Sequence, residues 1–337
     1  MESPPAATLP LIAYLDHLVE ELRRLVPLAL RDWDHDAIHH SRVATRRLKA
    51  GLDLFRPVLS DDARRPFAKV TRRLRRRLGP LRDLDVMLGH LDELSKGRHA
   101  SAVAWLTGQL NTQREKARGE SLEEAPPTKV LAKLSSSWAA VRDELVESAE
   151  AIDSLLVDSI HLQLDAFAER AERLIGASTQ VQPATTAPLD VHELRIAGKA
   201  LRYTLEMARA HGRRLDSRVT RTFKRMQDAL GLWHDFVVVT EWAMRASLEG
   251  LVAHHDTKLQ ADVLALARLT LSRAEQRLSK FATLWAEEGR ALAQTIRASF
   301  PITKPSPPTV SGTGPDPSAT AQSSGAVAPQ TDAVPAA

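Results

Sequence analysis

The sequence predicts an all-α protein, and three observations support that fold class. Only 4% of the 337 residues are aromatic and only 15 are glycine, whereas strand-rich proteins carry more aromatic runs and glycine-marked turns. Apolar residues recur at helical spacing, as in Val263, Leu266, Ala267 and Thr270. Residues 189–300 contain no proline, which suits long uninterrupted helices.

Proline and small polar residues mark the expected boundaries. We expect helix ends at Pro57, Pro66, Pro80 and the pair Pro126-Pro127. Residues 176–188 predict a linker between a first helical half, residues 9–175, and a second half, residues 189–300. Residues 1–8 are expected to be a flexible N-terminus. Residues 301–337 are rich in Pro, Ser and Ala and offer few large apolar side chains to bury, so they predict a disordered tail.

Composition excludes several kinds of site. The chain has no cysteine, which excludes a disulfide framework, a thiol nucleophile, an iron–sulfur cluster and a cysteine-ligated zinc. No stretch approaches the ~20 uncharged apolar residues of a membrane span, and the N-terminus lacks the pattern of a secretory signal. The sequence therefore predicts a cytoplasmic protein without a membrane partner.

Positive charge is concentrated in two segments. Residues 31–82 hold 15 Lys or Arg against 6 Asp or Glu, a net charge of +9, and residues 195–225 hold 10 against 2, or +8. Up to residue 300 the chain has 45 Lys or Arg and 40 Asp or Glu, so the residues outside these segments carry −12. Two basic segments in an otherwise acidic protein indicate a polyanionic partner.

The two basic segments resemble each other in sequence. The 18 residues from His39 align with those from His192 at an offset of 153, and six of the 18 positions are identical. Chance would give about one identity. The similarity predicts an internal duplication with two pseudo-equivalent halves.

Helix geometry sorts the residues of each copy into two faces. Residues three and four apart lie on one side of a helix, so a basic stripe is expected opposite an apolar stripe that includes Ala44 and Leu48. The predicted binding residues of these stripes, called the inner set, are His39, Arg42, Arg46, Lys49, His192, Arg195, Lys199 and Arg202. The basic residues that extend them, called the outer set, are Arg56, Arg65, Lys69, Arg72, Arg76, Arg209, Arg214, Arg218, Arg221 and Arg225. Arginine is more frequent than lysine in these sets, and its planar guanidinium can donate several hydrogen bonds to phosphate oxygens.

These motifs resemble the CHAD family, which is named for a histidine-containing α-helical domain. The marks are HSRVATRRLK at residues 40–49, preceded by His39, and HELRIAGKALRY at residues 192–203. Each is followed by a segment expected to form a turn, Leu78-Gly79-Pro80 in the first copy and Leu230-Gly231-Leu232 in the second. The resemblance covers roughly residues 9–300.

The resemblance implies two helical bundles related by pseudo-twofold symmetry, with the basic helices lining a central groove or pore. It also implies binding of inorganic polyphosphate and residence on polyphosphate granules. Many relatives carry a fused triphosphate-tunnel enzyme domain of the CYTH type, whose β-barrel sequence is not present here. The second copy departs from the first at Gly198, Ala200 and His234, which replace Thr45, Arg47 and Arg82.

Three other functions stay open at this point. Nonspecific binding of RNA or single-stranded DNA at low salt is one, although the basic stripes lack interleaved aromatics apart from Tyr203. A metal-dependent phosphohydrolase is another, with metal ligands drawn from Asp32, Asp36, Asp83, Asp85 and Asp235 or from His35 and His39. A scaffold for acidic or granule proteins is the third. We expect no enzyme activity, catalytic residue, metal or cofactor, and we expect Asp83 and Asp235 to cap helices or orient arginines.

Overall fold

The computed structural model describes residues 9–179, 188–254 and 256–302. Within them every regular element is helical and none is a strand, which confirms the all-α prediction. The predicted flexible N-terminus, most of the predicted linker and nearly all of the predicted tail lie outside the described residues. Helix continues to Thr179, past the predicted start of the linker at residue 176.

The helices follow one another with short connections. They are α1 (Pro10–Pro27), α2 (His35–Leu54), α3 (Asp61–Leu94), α4 (Ala100–Leu122), α5 (Pro127–Glu147), α6 (Ile152–Thr179), α7 (Pro188–Ala210), α8 (Ser217–His254), α9 (Thr257–Leu284) and α10 (Arg290–Ser299). A single π-helical turn follows α1 and another follows α9.

Local sequence explains several helix starts. The Asp34 carboxylate accepts a hydrogen bond from the Ala37 N–H at 2.7 Å, and the Ser60 hydroxyl accepts one from the Ala63 N–H at 3.2 Å. These side chains satisfy N–H groups that have no partner inside the first turn of α2 and α3. Pro127 occupies the first position of α5, where a missing N–H does not interrupt the helix.

The prediction of helix ends at Pro66 and Pro80 is wrong, because both prolines lie inside α3. A proline within a helix leaves the carbonyl one turn earlier without its N–H partner. Both proline residues are exposed, so they occur on the solvent side of the helix, where water can hydrogen-bond that carbonyl. The predicted turns around Gly79 and Gly231 are wrong for the same reason: α3 and α8 continue through them.

Both sequence halves contribute to one main core. This core contains buried side chains from α1, α2, α3 and α5 together with side chains from α6, α7, α8, α9 and α10. A second apolar cluster joins the C-terminal half of α3 to α4, the second half of α8 and the start of α9. Residues 9–302 consequently belong to one compact unit. The duplication itself stays a prediction from the sequence.

The two motif helices have similar surroundings. Helix α2 packs against α1 and α3, helix α7 packs against α6 and α8, and α2 and α7 contact each other. The apolar stripe predicted for α2 is buried, with Ala44 and Leu48 at most 1% exposed. Burial of that stripe places the predicted basic stripe on the opposite face of α2.

Candidate polyanion-binding site

The first basic stripe runs from a half-buried to an exposed end along α2. His39 and Arg46 are half-buried, whereas Lys49 is exposed and lies 2.5 Å from the Asp53 carboxylate one turn later. Arg56, which follows α2, is exposed. The C-terminal end of the stripe therefore lies at the protein surface.

Arg42 differs from the rest of its stripe because it is buried, with 8% of its surface exposed. It donates hydrogen bonds to the Asp83 carboxylate at 3.2 Å and to the backbone carbonyl of Arg75 at 3.4 Å, both on α3. A Cβ atom at Gly79 would lie 2.9 Å from the Arg42 guanidinium, so a glycine at this place lets the arginine lie across α3. Arg42 thus ties α2 to α3, and part of its hydrogen-bonding capacity is already used.

The second stripe lies on α7. His192, Arg195 and Lys199 are half-buried, and Arg202 is exposed and pairs with Glu206 at 2.9 Å. A side chain at Gly198 would overlap the Gln227 amide of α8 and lie 2.9 Å from the Phe167 ring of α6. The glycine that replaces Thr45 in the second copy therefore permits close packing of α7.

Three cations of the inner set, on the contacting helices α2 and α7, are close enough to affect one another's pKa; we call Arg46, Arg195 and Lys199 the inner cluster. Burial, together with the positive charges of Arg195 and Arg46, lowers the pKa of Lys199 to about 7. Burial also lowers the pKa of Arg195; the charge of Asp235 opposes that shift and the charge of Arg46 adds to it. None of the three forms a hydrogen bond or ion pair with another described side chain. The inner cluster is thus a half-buried positive site without a directly bound carboxylate, and Asp235 is close enough to affect the pKa of both Arg195 and Lys199.

A separate ion pair joins the motif helices beside this cluster. Arg47 of α2 donates a hydrogen bond to Glu206 of α7 at 2.8 Å, and Glu206 also accepts from Arg202. The position equivalent to Arg47 is Ala200, so only one copy supplies this arginine. Glu206 is therefore occupied by two arginines and does not neutralise the inner cluster.

Histidines lie next to the cations in both copies. His39 is 5.3 Å from the His40 ring, and His192 is 5.4 Å from the His234 ring, measured between ring centres. Burial and the charge of Arg82 lower the pKa of His39 to about 4, and burial and the charge of Arg195 lower the pKa of His234 to about 4. His39 and His234 are accordingly neutral at pH 7 in the unliganded protein.

Two aspartates at aligned positions lie near the cations of the two copies. Asp83 pairs with Arg42, as expected. Asp235 lies 3.7 Å from His90; burial disfavours its charged form, but His90 and the charge of Arg195 hold its pKa below the usual value. Both aspartates lie inside helices, so the alternative expectation that they cap helices is wrong.

The outer set is divided among several places. Arg65, Lys69, Arg72 and Arg76 are all exposed on α3, and Arg65 pairs with Asp61. Arg214 precedes α8 in the connection from α7, and Arg218 is exposed at the start of α8. Arg225 pairs with Glu288 at 3.1 Å, on the side that contacts the π turn after α9. Arg209, Arg214 and Arg221 line a cavity beside Arg202.

The structure adds basic residues that helical spacing did not select. Arg75 on α3 is half-buried, and burial and the charge of Arg46 lower its pKa. Arg82 lies 2.9 Å from His35 and close enough to His39 to affect its pKa. Lys224 lines the cavity on α8. The arginine-rich run at residues 72–77 could have pointed to Arg75 as a candidate. Only tertiary packing, however, shows which face of α3 contacts α2.

The metal-site alternative receives no support from side-chain geometry. His35 lies 3.3 Å from Asp36 and 2.9 Å from Arg82, and Asp85 pairs with Arg114 at 2.9 Å. Across residues 9–179, 188–254 and 256–302, no three His, Cys, Asp or Glu side chains are grouped as metal ligands. In the same part of the chain, no helix has the length and apolar character needed to span a bilayer.

Comparisons with known proteins give a family match and similar solved structures. A family model described as CHAD domain matches residues 13–244. The crystal structure of the CHAD domain from the plant Ricinus communis is similar with a TM-score of 0.54 and 20% identity, over 89% of this chain and 93% of that one. PptA from Streptomyces chartreusis gives a TM-score of 0.49 and 17% identity, over 82% of this chain and 98% of that one. No curated protein matches the sequence.

Proposed function

This chain belongs to the CHAD domain family, and we propose that it binds inorganic polyphosphate at the junction of α2 and α7 without catalysing a reaction. The observation that carries the proposal is the inner cluster, in which Arg46, Arg195 and Lys199 affect one another electrostatically and none is ion-paired with a carboxylate, although Asp235 offsets part of their charge. Polyphosphate binding is known for this family, and a chain of phosphates supplies negative charge beyond that of Asp235.

The electrostatics of the cluster favour a ligand with closely spaced negative charges. Half-buried cations repel one another more strongly than cations in water because the local dielectric is lower. The pKa of Lys199, lowered to about 7, reflects burial first and this repulsion second. A phosphate chain that contacts all three side chains relieves the repulsion, and its oxygens accept the guanidinium hydrogen bonds.

The surrounding rings favour polyphosphate over a nucleic acid. Sequence-independent binders of single strands stack bases on exposed aromatic side chains. Here Trp233 is 6% exposed, and the guanidinium of Arg202 lies over the Tyr203 ring at 5.9 Å. Histidine rings also lie near the cations, since the charges of Arg82 and Arg195 affect the pKa values of His39 and His234. The cations are thus better placed for phosphates than the rings are for bases.

The test is a double charge reversal, Arg46→Glu with Lys199→Glu. We expect affinity for long-chain polyphosphate to fall on the order of 100-fold, since each lost charge-assisted contact contributes about 1.5–3 kcal/mol. The matched control is Lys129→Glu with Lys133→Glu, which reverses two exposed lysines of α5 outside the predicted sets. Calorimetry measures binding, and circular dichroism checks helicity. Equal affinity of a folded double variant and its control would overturn the site.

Competition and cell imaging test the ligand class. We expect long-chain polyphosphate to displace single-stranded RNA at physiological salt, and we expect its own affinity to fall as salt rises. Displacement of polyphosphate by equal phosphate concentrations of RNA would instead indicate a general polyanion binder. The proposal also places the protein on polyphosphate granules, so a fluorescent fusion should lose its foci in cells without polyphosphate. Foci that persist there would favour a scaffold for other granule proteins.

A further inference from the structure

A cavity of about 690 Å³ lies between the second half of α7 and the start of α8. Ile296 of α10 forms part of its wall, and the connection between the two helices contributes Arg214 and Leu215. Small-molecule sites in proteins usually measure about 300–1,000 Å³. The cavity therefore has the size of a site for one small organic ligand.

One side of this cavity is basic. Arg209 and Arg214 line it, and neither side chain makes a hydrogen bond or ion pair with another described residue. Arg221 lines it as well and has only a weak contact, 3.3 Å, with the Ser217 hydroxyl. The acidic residue of the lining, Glu206, is already paired with two arginines. The cavity thus offers guanidinium groups to an anionic ligand.

The other side is apolar. Leu205 and Leu215 are half-buried in the lining, and Phe223, which also lines the cavity, is buried. Gln227 contributes to the lining too, but its amide nitrogen packs against Gly198 of α7. Polyphosphate has no apolar surface, so it leaves this side unused.

We propose that the α7–α8 cavity binds a nucleoside polyphosphate, with its phosphates on the arginines and its base against Leu205 and Leu215. A nucleobase has flat apolar faces, which match that wall. Guanidinium groups bind phosphate oxygens and also stack on planar rings. The site goes beyond the proposed function and uses a surface next to the polyphosphate path, with Arg202 between them.

The test compares ATP with inorganic tripolyphosphate as competitors of a fluorescent ATP analogue on the full chain, without divalent cations. Both competitors carry three linked phosphates, but only ATP can use the apolar wall. We expect ATP to displace the analogue at a concentration roughly tenfold lower than tripolyphosphate. Equal potency of the two competitors, or no binding of the analogue, would overturn the proposal.

Variants locate the bound nucleotide. Leu215 lies in the connection between α7 and α8 and packs against the main core; Leu215→Ser should weaken ATP binding roughly tenfold and leave tripolyphosphate binding unchanged. Arg209→Glu should weaken both ligands. The control is Arg173→Glu, which changes an exposed arginine of α6. This part of α6 lies near the start of α7, because Arg170 of α6 contacts Glu193 of α7, whereas Arg209 is near the other end of α7. If Arg209→Glu binds the analogue as tightly as this control, the assigned cavity is wrong.

The Arg46→Glu/Lys199→Glu variant separates this proposal from the proposed function. Loss of polyphosphate binding with retained ATP binding supports two sites. Loss of ATP binding in the same folded protein would place the nucleotide at the inner cluster and overturn the cavity assignment. Failure of the wild-type protein to bind long-chain polyphosphate would overturn the proposed function alone.

Discussion

Lys199 should make polyphosphate binding consume protons. Its pKa is lowered to about 7 by burial and by the charges of Arg195 and Arg46, so about half of the Lys199 amines are neutral at pH 7. A polyanion next to the amine favours its charged form. Binding at pH 7 should therefore take up about 0.5 proton at this residue, provided that the bound pKa lies well above 7.

The same pKa gives the expected pH dependence. A group whose pKa rises on binding favours the complex at low pH, and its contribution falls as pH rises through the free-state value. Between pH 7 and pH 8 the neutral fraction of Lys199 rises from about one half to about nine tenths, so this residue alone should weaken binding roughly fivefold. The variant Lys199→Arg should lack this component, because arginine stays protonated.

Calorimetry in buffers of different ionisation enthalpy measures the proton uptake directly. At pH 7 the slope of observed enthalpy against buffer enthalpy should fall by about 0.5 proton in Lys199→Arg relative to wild type. The aligned residue in the first copy is Arg46, so arginine is already used at this position. Lys49→Arg is the matched control, since Lys49 is exposed and paired with Asp53. Equal proton uptake in wild type and Lys199→Arg would refute the reasoning.

Two further predictions concern stability. The pKa of His39 is lowered to about 4, below the usual 6.5, so between these values the unfolded chain binds more protons and acid favours unfolding. Between pH 6.5 and pH 4 the thermal unfolding midpoint of His39→Gln should therefore fall less than that of the wild type. An equal fall in both proteins would contradict this. Gly198→Ala should destabilise the protein by about 1–3 kcal/mol in chemical denaturation, because the new Cβ overlaps Gln227. The control Gly231→Ala has no atom within 4 Å of its Cβ and should be neutral or stabilising by up to ~1 kcal/mol; equal effects would contradict the packing argument.

Proline was a poorer guide to helix ends than apolar periodicity was to helix faces. Pro66 and Pro80 are accommodated inside α3. Both lie on its exposed side, where water can reach the carbonyl that each proline leaves unpaired one turn earlier. In the same region, Gly79 serves the packing of Arg42 rather than a turn. Whether a helix continues through such residues depends on the neighbours that pack on it, and those neighbours are distant in sequence.

Helical spacing in the sequence also could not predict the role of Arg42. Helical geometry places it in the same stripe as Arg46, yet Arg42 is buried against α3 and paired with Asp83, whereas Arg46 is left without a carboxylate. Arg75 was not selected although it lies near Arg46. Sequence spacing assigns a residue to a face, but burial and pairing depend on what covers that face.

By itself, the sequence determined the all-α class, the apolar and basic faces of α2, and the similarity between the two motifs. These properties are local, since they follow from helical periodicity and from residue identities at a constant offset. Tertiary structure decided that Arg46 lies close enough to Lys199 to affect its pKa, that Arg42 is tied to α3, and that α7 and α8 line a cavity. Contacts between residues about 150 positions apart depend on how whole helices pack, and no local pattern contains that information.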